Sequence, residues 1–181
     1  MGTLKFRVLL DSEKDQEIFR DIRINEEDNF ETLYRTVLNS FNFEGKEMGS
    51  FFMSNDEWDK GHEISLMDMS YSDEDQELTS VMSDAKLADF MEVPDQKIIL
   101  VYDFLRMWIF LIELQDRTEE TIDKPHIDLA VGTAPPEDSK MIQEDAFYGE
   151  EEEDEFGDFD EDFGDGYDDE DFGSGYEEYE Y

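Results

Sequence analysis

Cysteine is absent from this 181-residue chain, and proline is scarce, with four residues. Without cysteine the chain has no disulfide, no thiolate nucleophile and no cysteine-ligated zinc site. Histidine is nearly as rare, since only His62 and His126 occur, far apart along the chain. Neither belongs to a motif with the ligand spacing of a metal or catalytic site. We therefore interpret both as surface residues in loops and expect no metal and no cofactor.

Basic residues are also few: 14 Lys and Arg face 53 Asp and Glu, a formal net charge of −39. Residues 143–181 contain 20 of these acids and no base, whereas residues 1–142 contain 33 acids and all 14 bases. Such a field repels nucleic acid and anionic membrane surfaces and attracts basic protein surfaces. We expect a basic protein surface as partner, no direct nucleic-acid binding by the full-length chain, and no membrane binding.

No hydrophobic run is long enough for a membrane helix. The longest, residues 98–114, has 17 residues and includes Asp103, Arg106 and Glu113. A spanning helix needs about 20 residues and tolerates central charges poorly. A pair of buried strands explains the run better. Since the first residues also lack an apolar leader, we expect a cytoplasmic protein.

Up to residue 142 the patterns predict one α+β domain. Period-2 alternation of apolar residues predicts strands, and 3.6-residue periodicity predicts helices. The predicted strands cover residues 4–10, 18–24, 48–54, 97–104 and 107–114, and the predicted helices cover residues 30–41 and 84–91. Residues 116–142 contain Pro125, Pro135 and Pro136 and are predicted to form a loosely structured extension packed over the domain.

The first helix has the clearest pattern. Its predicted buried face comprises Phe30, Leu33, Tyr34, Val37, Leu38 and Phe41. Asp28 is the predicted N-cap, with Glu31 in the capping-box position and as an i,i+4 partner of Arg35.

The element order β-β-α-β-α-β-β favours a mixed β-sheet with a helix packed across one face, a ubiquitin-like or grasp-type arrangement. Residues 97–104 and 107–114 are apolar on both faces, which predicts a central hairpin.

The remaining residues, 143–181, predict a disordered acidic tail. After Ile142 there is no Ile, Leu, Val or Met, so nothing offsets the entropy of ordering the chain. Ten aromatic residues nevertheless interrupt the acids. A purely solubilising segment explains the charge but not the rings, because exposed aromatics favour binding over solubility. Solubilising and binding roles both stay open.

Six rings of this tail are candidate partner contacts: Phe156, Phe159, Phe163, Tyr167, Phe172 and Tyr176. The nearby acids Asp158, Asp160 and Asp162 do not fit a calcium loop, because Phe163 stands where an EF-hand needs glycine. Only weak, nonspecific binding of divalent cations is expected there.

Two stretches of the domain resemble a known family, the plasmid pRiA4b ORF-3-like proteins. Tyr102, Asp103, Phe104 and Trp108 resemble the family's Y-D-F-G-D-x-W-x-H-x-I signature. A second stretch resembles the family's P…G…PPED segment. It begins at Pro125, includes Gly132 and ends with Pro135, Pro136, Glu137 and Asp138. The resemblance covers residues 4–138 and implies an α+β domain, found alone or beside transposon and plasmid genes, with no established activity.

The chain departs from this signature at three places. Leu105-Arg106 replaces the Gly-Asp turn, Phe110 stands where the family has histidine, and Ser139-Lys140 follows the second motif. A chemical site built on that Asp and His would be missing here.

Other candidate residues have structural readings that we favour. Asp103 and Arg106 flank a strand connection and could bind a ligand, but a turn-fixing ion pair explains them better. Glu137 and Asp138 could act as paired carboxylates, yet an anchor that accepts backbone hydrogen bonds is the better interpretation. Trp108 is interpreted as core and Trp58 as a surface contact.

We expect a non-enzymatic protein-interaction module whose tail engages either a basic partner or the domain's own basic island. That island would consist of Lys5, Arg7 and Arg23 on the outward face of the first hairpin. Two alternatives stay open: a DNA-mimic or mobile-element-associated accessory protein, and an enzyme with a site near the Tyr102–Trp108 turn.

Overall fold

The computed structural model of the chain describes residues 1–13, 15–68 and 79–143. Within them eight strands form one sheet, accompanied by two helices and a 3-10 turn. In chain order the elements are β1 (Thr3–Leu10), β2 (Phe19–Asn25), α1 (Phe30–Ser40), β3 (Gly49–Ser54), β4 (Glu63–Ser65), β5 (Ser80–Val81), α2 (Leu87–Phe90), β6 (Lys97–Tyr102), β7 (Trp108–Thr118), β8 (His126–Val131) and the 3-10 turn (Glu137–Ser139). The predicted α+β class is confirmed.

The strands are arranged in the order β5-β4-β3-β6-β7-β1-β2-β8. Every neighbouring pair is antiparallel except β4 and β5, which are parallel, so the sheet is mixed as predicted. Strands β6 and β7 occupy the middle of the sheet and form the predicted central hairpin. Among the described residues, neither helix is long and apolar enough to cross a membrane.

Helix α1 packs its apolar stripe on the sheet. Phe30, Leu33, Tyr34, Val37 and Leu38 are buried, in agreement with the predicted face. The predicted cap is wrong by one residue: Asn29, not Asp28, accepts a hydrogen bond from the Thr32 N–H at 2.9 Å. Asp28 still belongs to the turn that precedes the helix, because its own N–H donates to the Asn25 carbonyl at 3.1 Å.

The core lies between α1 and one face of the sheet, hereafter the inner face. Alternate residues of β1 point into it, and Leu4, Phe6, Val8 and Leu10 are buried there. Rings from the helix and sheet meet edge to face, as Phe30 and Phe51 do at 5.2 Å between centroids. The opposite, outer face carries the intervening residues of β1, namely Lys5, Arg7 and Leu9.

Three strands were not predicted. Strands β4 and β5 have three and two residues, too short to show periodicity. Strand β8 lies inside the segment predicted as a loosely structured extension, so that prediction is wrong for residues 126–131. All but the last of its residues are exposed, so no apolar alternation marks β8, and its place depends on backbone pairing with β2.

Element ends also differ from the prediction. Strand β7 continues four residues past Leu114, through polar residues that are exposed to solvent. Strand β6 ends at Tyr102, which leaves Phe104 in the connecting turn with 38% of its surface exposed. Of the predicted tail, only its first residue, Gln143, is among the described residues.

Candidate functional site

The two family-like motifs meet at one end of the central β6–β7 hairpin, where its turn contacts the 3-10 turn. The Tyr102 hydroxyl donates to the carboxylate of Glu137, and Trp108 Nε1 donates to the Glu137 carbonyl at 3.0 Å. The second carboxylate oxygen of Glu137 accepts the Glu44 N–H at 2.7 Å. We call Tyr102, Asp103, Trp108 and Glu137 the motif corner. The Glu137 carboxylate anchors the 3-10 turn to Tyr102 and to the backbone of Glu44.

Asp103 fixes the β6–β7 turn of this corner. Asp103 is only 2% exposed. Its φ is 58°, in the left-handed region that aspartate adopts more readily than most residues do. One carboxylate oxygen accepts the N–H groups of Leu105 and Arg106 at 3.1 and 3.2 Å. The other oxygen lies 3.4 Å from the Arg106 guanidinium. The interpretation of a turn-fixing ion pair agrees with these contacts.

Two basic side chains, those of Arg106 and Lys140, hold the segment after the 3-10 turn against the motif corner. Arg106 Nε donates to the Lys140 carbonyl at 3.1 Å. The Lys140 ammonium donates to the Met107 carbonyl and lies 5.3 Å from the centre of the Trp108 ring. Ser139 and Lys140, which depart from the family signature, therefore take part in packing the corner.

The two buried phenols of this region are neutral hydrogen-bonding groups. Burial raises the pKa of Tyr34 to about 12, and the Tyr34 hydroxyl donates to the Glu47 carbonyl at 3.0 Å. Burial, reinforced by the hydrogen bond to Glu137, raises the pKa of Tyr102 as well. A phenol with a raised pKa stays protonated at neutral pH, so both hydroxyls act as hydrogen-bond donors.

A shallow cleft of about 410 Å³ opens beside the motif corner. It is lined by Asn42, Glu44, Lys46, Glu47, Asp103, Arg106, Pro136, Glu137 and Asp138. Five of these are acids, and the carboxylates of Asp103 and Glu137 already accept hydrogen bonds from the protein itself. The cleft therefore attracts cations more readily than it could stabilise a developing negative charge.

The predicted basic island lies on the outer face, but each of its members is paired. Lys5 and Arg23 are directly opposite in the β1–β2 register. Arg7 makes two hydrogen bonds to Asp21, at 2.8 and 2.9 Å, and Lys5 lies 3.9 Å from the same carboxylate. Arg23 binds Asp128 of β8 at 2.8 Å. These carboxylates offset the positive charge on which the island was predicted.

Trp58 lies on the same face as Arg7, which sequence reasoning did not connect. Both border a cleft of about 180 Å³ together with Leu9, Glu17, Phe19, Leu111 and Glu113. The Asn55 carbonyl accepts the Trp58 N–H at 3.1 Å and holds this residue at a φ of 61°. Lys97 lies 5.8 Å from the ring centre. Trp58 is half-buried, whereas Trp108 is 3% exposed and belongs to the core, as predicted.

One contact between chemistry-bearing side chains was missed in the sequence. His62 Nε2 lies 2.8 Å from the Ser80 hydroxyl, and the His62 ring stacks on Phe90. The two residues are 18 positions apart in the sequence, and the parallel pairing of β4 with β5 brings them together. The contact links the end of the β3–β4 connection to β5.

The remaining candidates cannot be placed. Phe156, Phe159, Phe163, Tyr167, Phe172 and Tyr176, and the acids between them, lie outside the described residues. Among residues 1–13, 15–68 and 79–143, no group of three or more His, Asp or Glu side chains could hold a metal ion.

The chain is similar to other proteins in sequence and in fold. A family model described as plasmid pRiA4b ORF-3-like protein matches residues 2–174. A crystal structure of a protein of unknown function from Methanosarcina mazei Go1 has a TM-score of 0.64 and 19% sequence identity, and the match covers 78% of this chain and 76% of that one. At this identity the likeness shows the fold alone. No curated protein matches the chain.

Proposed function

The chain belongs to the plasmid pRiA4b ORF-3-like protein family, as its motifs predicted, and from its own residues we propose that it is a non-enzymatic protein-interaction module. Residues 143–181 would bind a basic surface on a partner protein. The observation that carries this proposal is their composition, 20 acids and ten aromatic residues with no base. Acids supply long-range attraction, and aromatic rings are frequent anchors of protein interfaces.

The motif corner supports a non-enzymatic role. The Glu137 carboxylate accepts from both Tyr102 and the Glu44 backbone, and the Asp103 carboxylate accepts from two backbone N–H groups of its own turn. Each Glu137 oxygen accepts one donor from the protein, and one Asp103 oxygen accepts two. The contacts of both carboxylates are those of anchors that stabilise the fold.

Capture of partners by the immobilised full-length chain tests the proposal. The wild type is compared with two variants that keep the domain unchanged. In the ring variant the six candidate aromatics between Phe156 and Tyr176 become serine. In the charge variant the acids between Glu150 and Asp171 become asparagine or glutamine. Captured proteins are identified by mass spectrometry at about 50 mM and about 500 mM salt, where the screening length differs several-fold.

We expect the wild type to enrich basic proteins at low salt and to lose most of them at high salt. The charge variant should capture few at either salt concentration. The ring variant should keep the salt dependence but release its partners faster, because the apolar anchors are gone. Enrichment of no basic protein, or equal capture at both salt concentrations, contradicts the proposal. If duplex DNA displaces the captured proteins, the partner surface is one that binds nucleic acid.

A further inference from the structure

Strand β8 leaves one side of its backbone open. It is the last strand of the sheet and pairs only with β2 among the described residues. Both of its large apolar side chains are exposed, Ile127 at 40% and Leu129 at 45%. An exposed edge strand with apolar side chains is a template for another extended segment, and a bulge or a charge weakens that tendency. Strand β8 has both, because its pairing with β2 shifts register between Asp21 and Ile22 and Asp128 lies in the strand with its carboxylate bound to Arg23. Its outer edge is nevertheless unpaired among the described residues.

A groove runs beside this open strand. Its volume is about 590 Å³, and it separates α1 from the start of β8. The helix contributes a polar stripe that includes Thr32, Thr36 and Asn39, spaced so that they share one face. Pro125, His126 and Ile127 form the opposite wall. The groove reaches the first two residues of β8, and extended peptides can bind proteins by adding a strand to an exposed sheet edge.

The charge of this groove differs from that of the rest of the domain. Its two bases are Arg35 and Lys124, and its single acid, Glu31, lies 3.9 Å from Arg35. His126 also lines it and lies 3.7 Å from Asp128. The cleft at the motif corner has five acids against Lys46 and Arg106. In a domain of 33 acids and 14 bases, a groove with more bases than acids is an exception. It complements an acidic ligand.

We propose that the α1–β8 groove binds an extended acidic peptide segment of a partner protein. The segment adds to the free edge of β8, its backbone supplies the partners that the edge lacks, and its carboxylates contact Lys124 and Arg35. Ile127 offers an apolar contact to side chains that point toward the groove. In this interaction the domain is the receptor, so the inference goes beyond the proposed function, in which the acidic segment 143–181 is the ligand.

Fluorescence anisotropy with a defined probe tests the proposal. The probe is a labelled peptide of about eight alternating valine and glutamate residues, long enough to follow an edge strand. A valine–lysine peptide of equal length is the control. The protein is the full-length chain at about 150 mM salt, where charges beyond about 8 Å are screened. We expect binding of the glutamate peptide only.

Two variants locate the binding. Lys124→Glu should weaken the glutamate peptide at least tenfold, whereas Lys60→Glu, at an exposed lysine far from the groove lining, should change the affinity less than twofold. Hydrogen exchange of the β8 amides should slow when the peptide is added, because strand addition protects backbone N–H groups. The charge variant of the segment 143–181 should still bind the probe, which separates this test from that of the proposed function.

Several results would overturn the inference. These are absence of binding by the glutamate peptide, equal loss in Lys124→Glu and Lys60→Glu, and binding without protection of β8. A dimer in sedimentation that is lost in a Leu129→Lys variant would show that the edge is occupied by a second copy instead. Displacement of the probe by a short oligonucleotide at equal concentration would show that the basic groups of the groove bind nucleic acid instead.

Discussion

The motif corner and the outer face use their polar groups in opposite ways. At the corner, Trp108 and Glu137 are bound to each other through the Trp108 Nε1 hydrogen bond, and the Glu137 carboxylate accepts two further donors. On the outer face, Arg7 and Arg23 pair with carboxylates while 44% and 37% of their side chains remain exposed. The polar groups of the first region are bound mainly by the protein itself, whereas those of the second remain partly exposed to solvent.

This difference separates residues that stabilise the fold from residues that are free to bind. A buried donor that loses its acceptor costs the full desolvation of that group, whereas an exposed ion pair contributes about 0–1 kcal/mol. We therefore expect the contacts of Tyr102, Trp108 and Glu137 at the corner to contribute to stability. A binding surface is better sought where the domain leaves groups accessible, as at β8.

Comparison of the two tryptophans gives the largest expected effect. Trp108 is buried at the corner, so Trp108→Ala should lower the free energy of unfolding by about 3–5 kcal/mol. Trp58 is half-buried on the outer face, so Trp58→Ala should cost about 1 kcal/mol or less. Urea unfolding followed by circular dichroism measures both.

The positive φ of Trp58 provides a further check. At 61° it is unfavourable for a tryptophan, so Trp58→Gly should recover part of the stability that Trp58→Ala loses. Equal losses for Trp108→Ala and Trp58→Ala would abolish the distinction between the two regions.

Comparison of two adjacent acids gives the next effect. Glu137→Ala removes the acceptor of the Tyr102 hydroxyl and of the Glu44 N–H, and it should cost about 1–3 kcal/mol in urea unfolding. Asp138 is exposed, so Asp138→Ala should stay within about 0.5 kcal/mol of the wild type.

The double variant with Tyr102→Phe isolates the contact between the two side chains. Once the Tyr102 hydroxyl is absent, Glu137→Ala should cost measurably less than it does in the wild type. Additive losses would mean that Glu137 does not stabilise the corner through Tyr102.

The sequence predicted the parts of this fold whose residues face the core. The buried stripe of α1 and the alternation of β1 are visible because burial imposes a period on the chain. Strand β8 has no such period, since its residues are exposed on both faces and its position depends on hydrogen bonds to β2. Backbone pairing leaves almost no mark on side-chain choice, and β8 was therefore missed.

The candidate site shows the same limit. The sequence named Tyr102, Trp108 and Glu137, but only the fold brings Glu137 to Tyr102 across 35 positions. The basic island was predicted from β1 and β2 alone, and Asp128 could not be assigned to Arg23 without knowing that β8 lies beside β2. The net charge of a surface patch depends on every strand that contributes side chains to it. Residues that are distant in sequence, such as Asp128, can therefore change that charge.

The smallest expected effect concerns Asp21, the outer-face carboxylate that is itself buried. The hydrogen bond from Arg7 holds the pKa of Asp21 below its usual value. The ion pair should therefore stabilise the protein above about pH 4, the ordinary aspartate pKa, and this contribution should disappear as the pH falls through the lower pKa of the folded state. Since Arg7 is 44% exposed and screened by water, Asp21→Asn should cost only about 1 kcal/mol at neutral pH. Urea unfolding of the wild type and Asp21→Asn between about pH 7 and pH 2 measures the difference in their free energies of unfolding. The titration of the other acids contributes equally to both proteins and cancels in this difference. A difference that grows toward low pH would mean that Asp21 is destabilised by its burial rather than stabilised by Arg7.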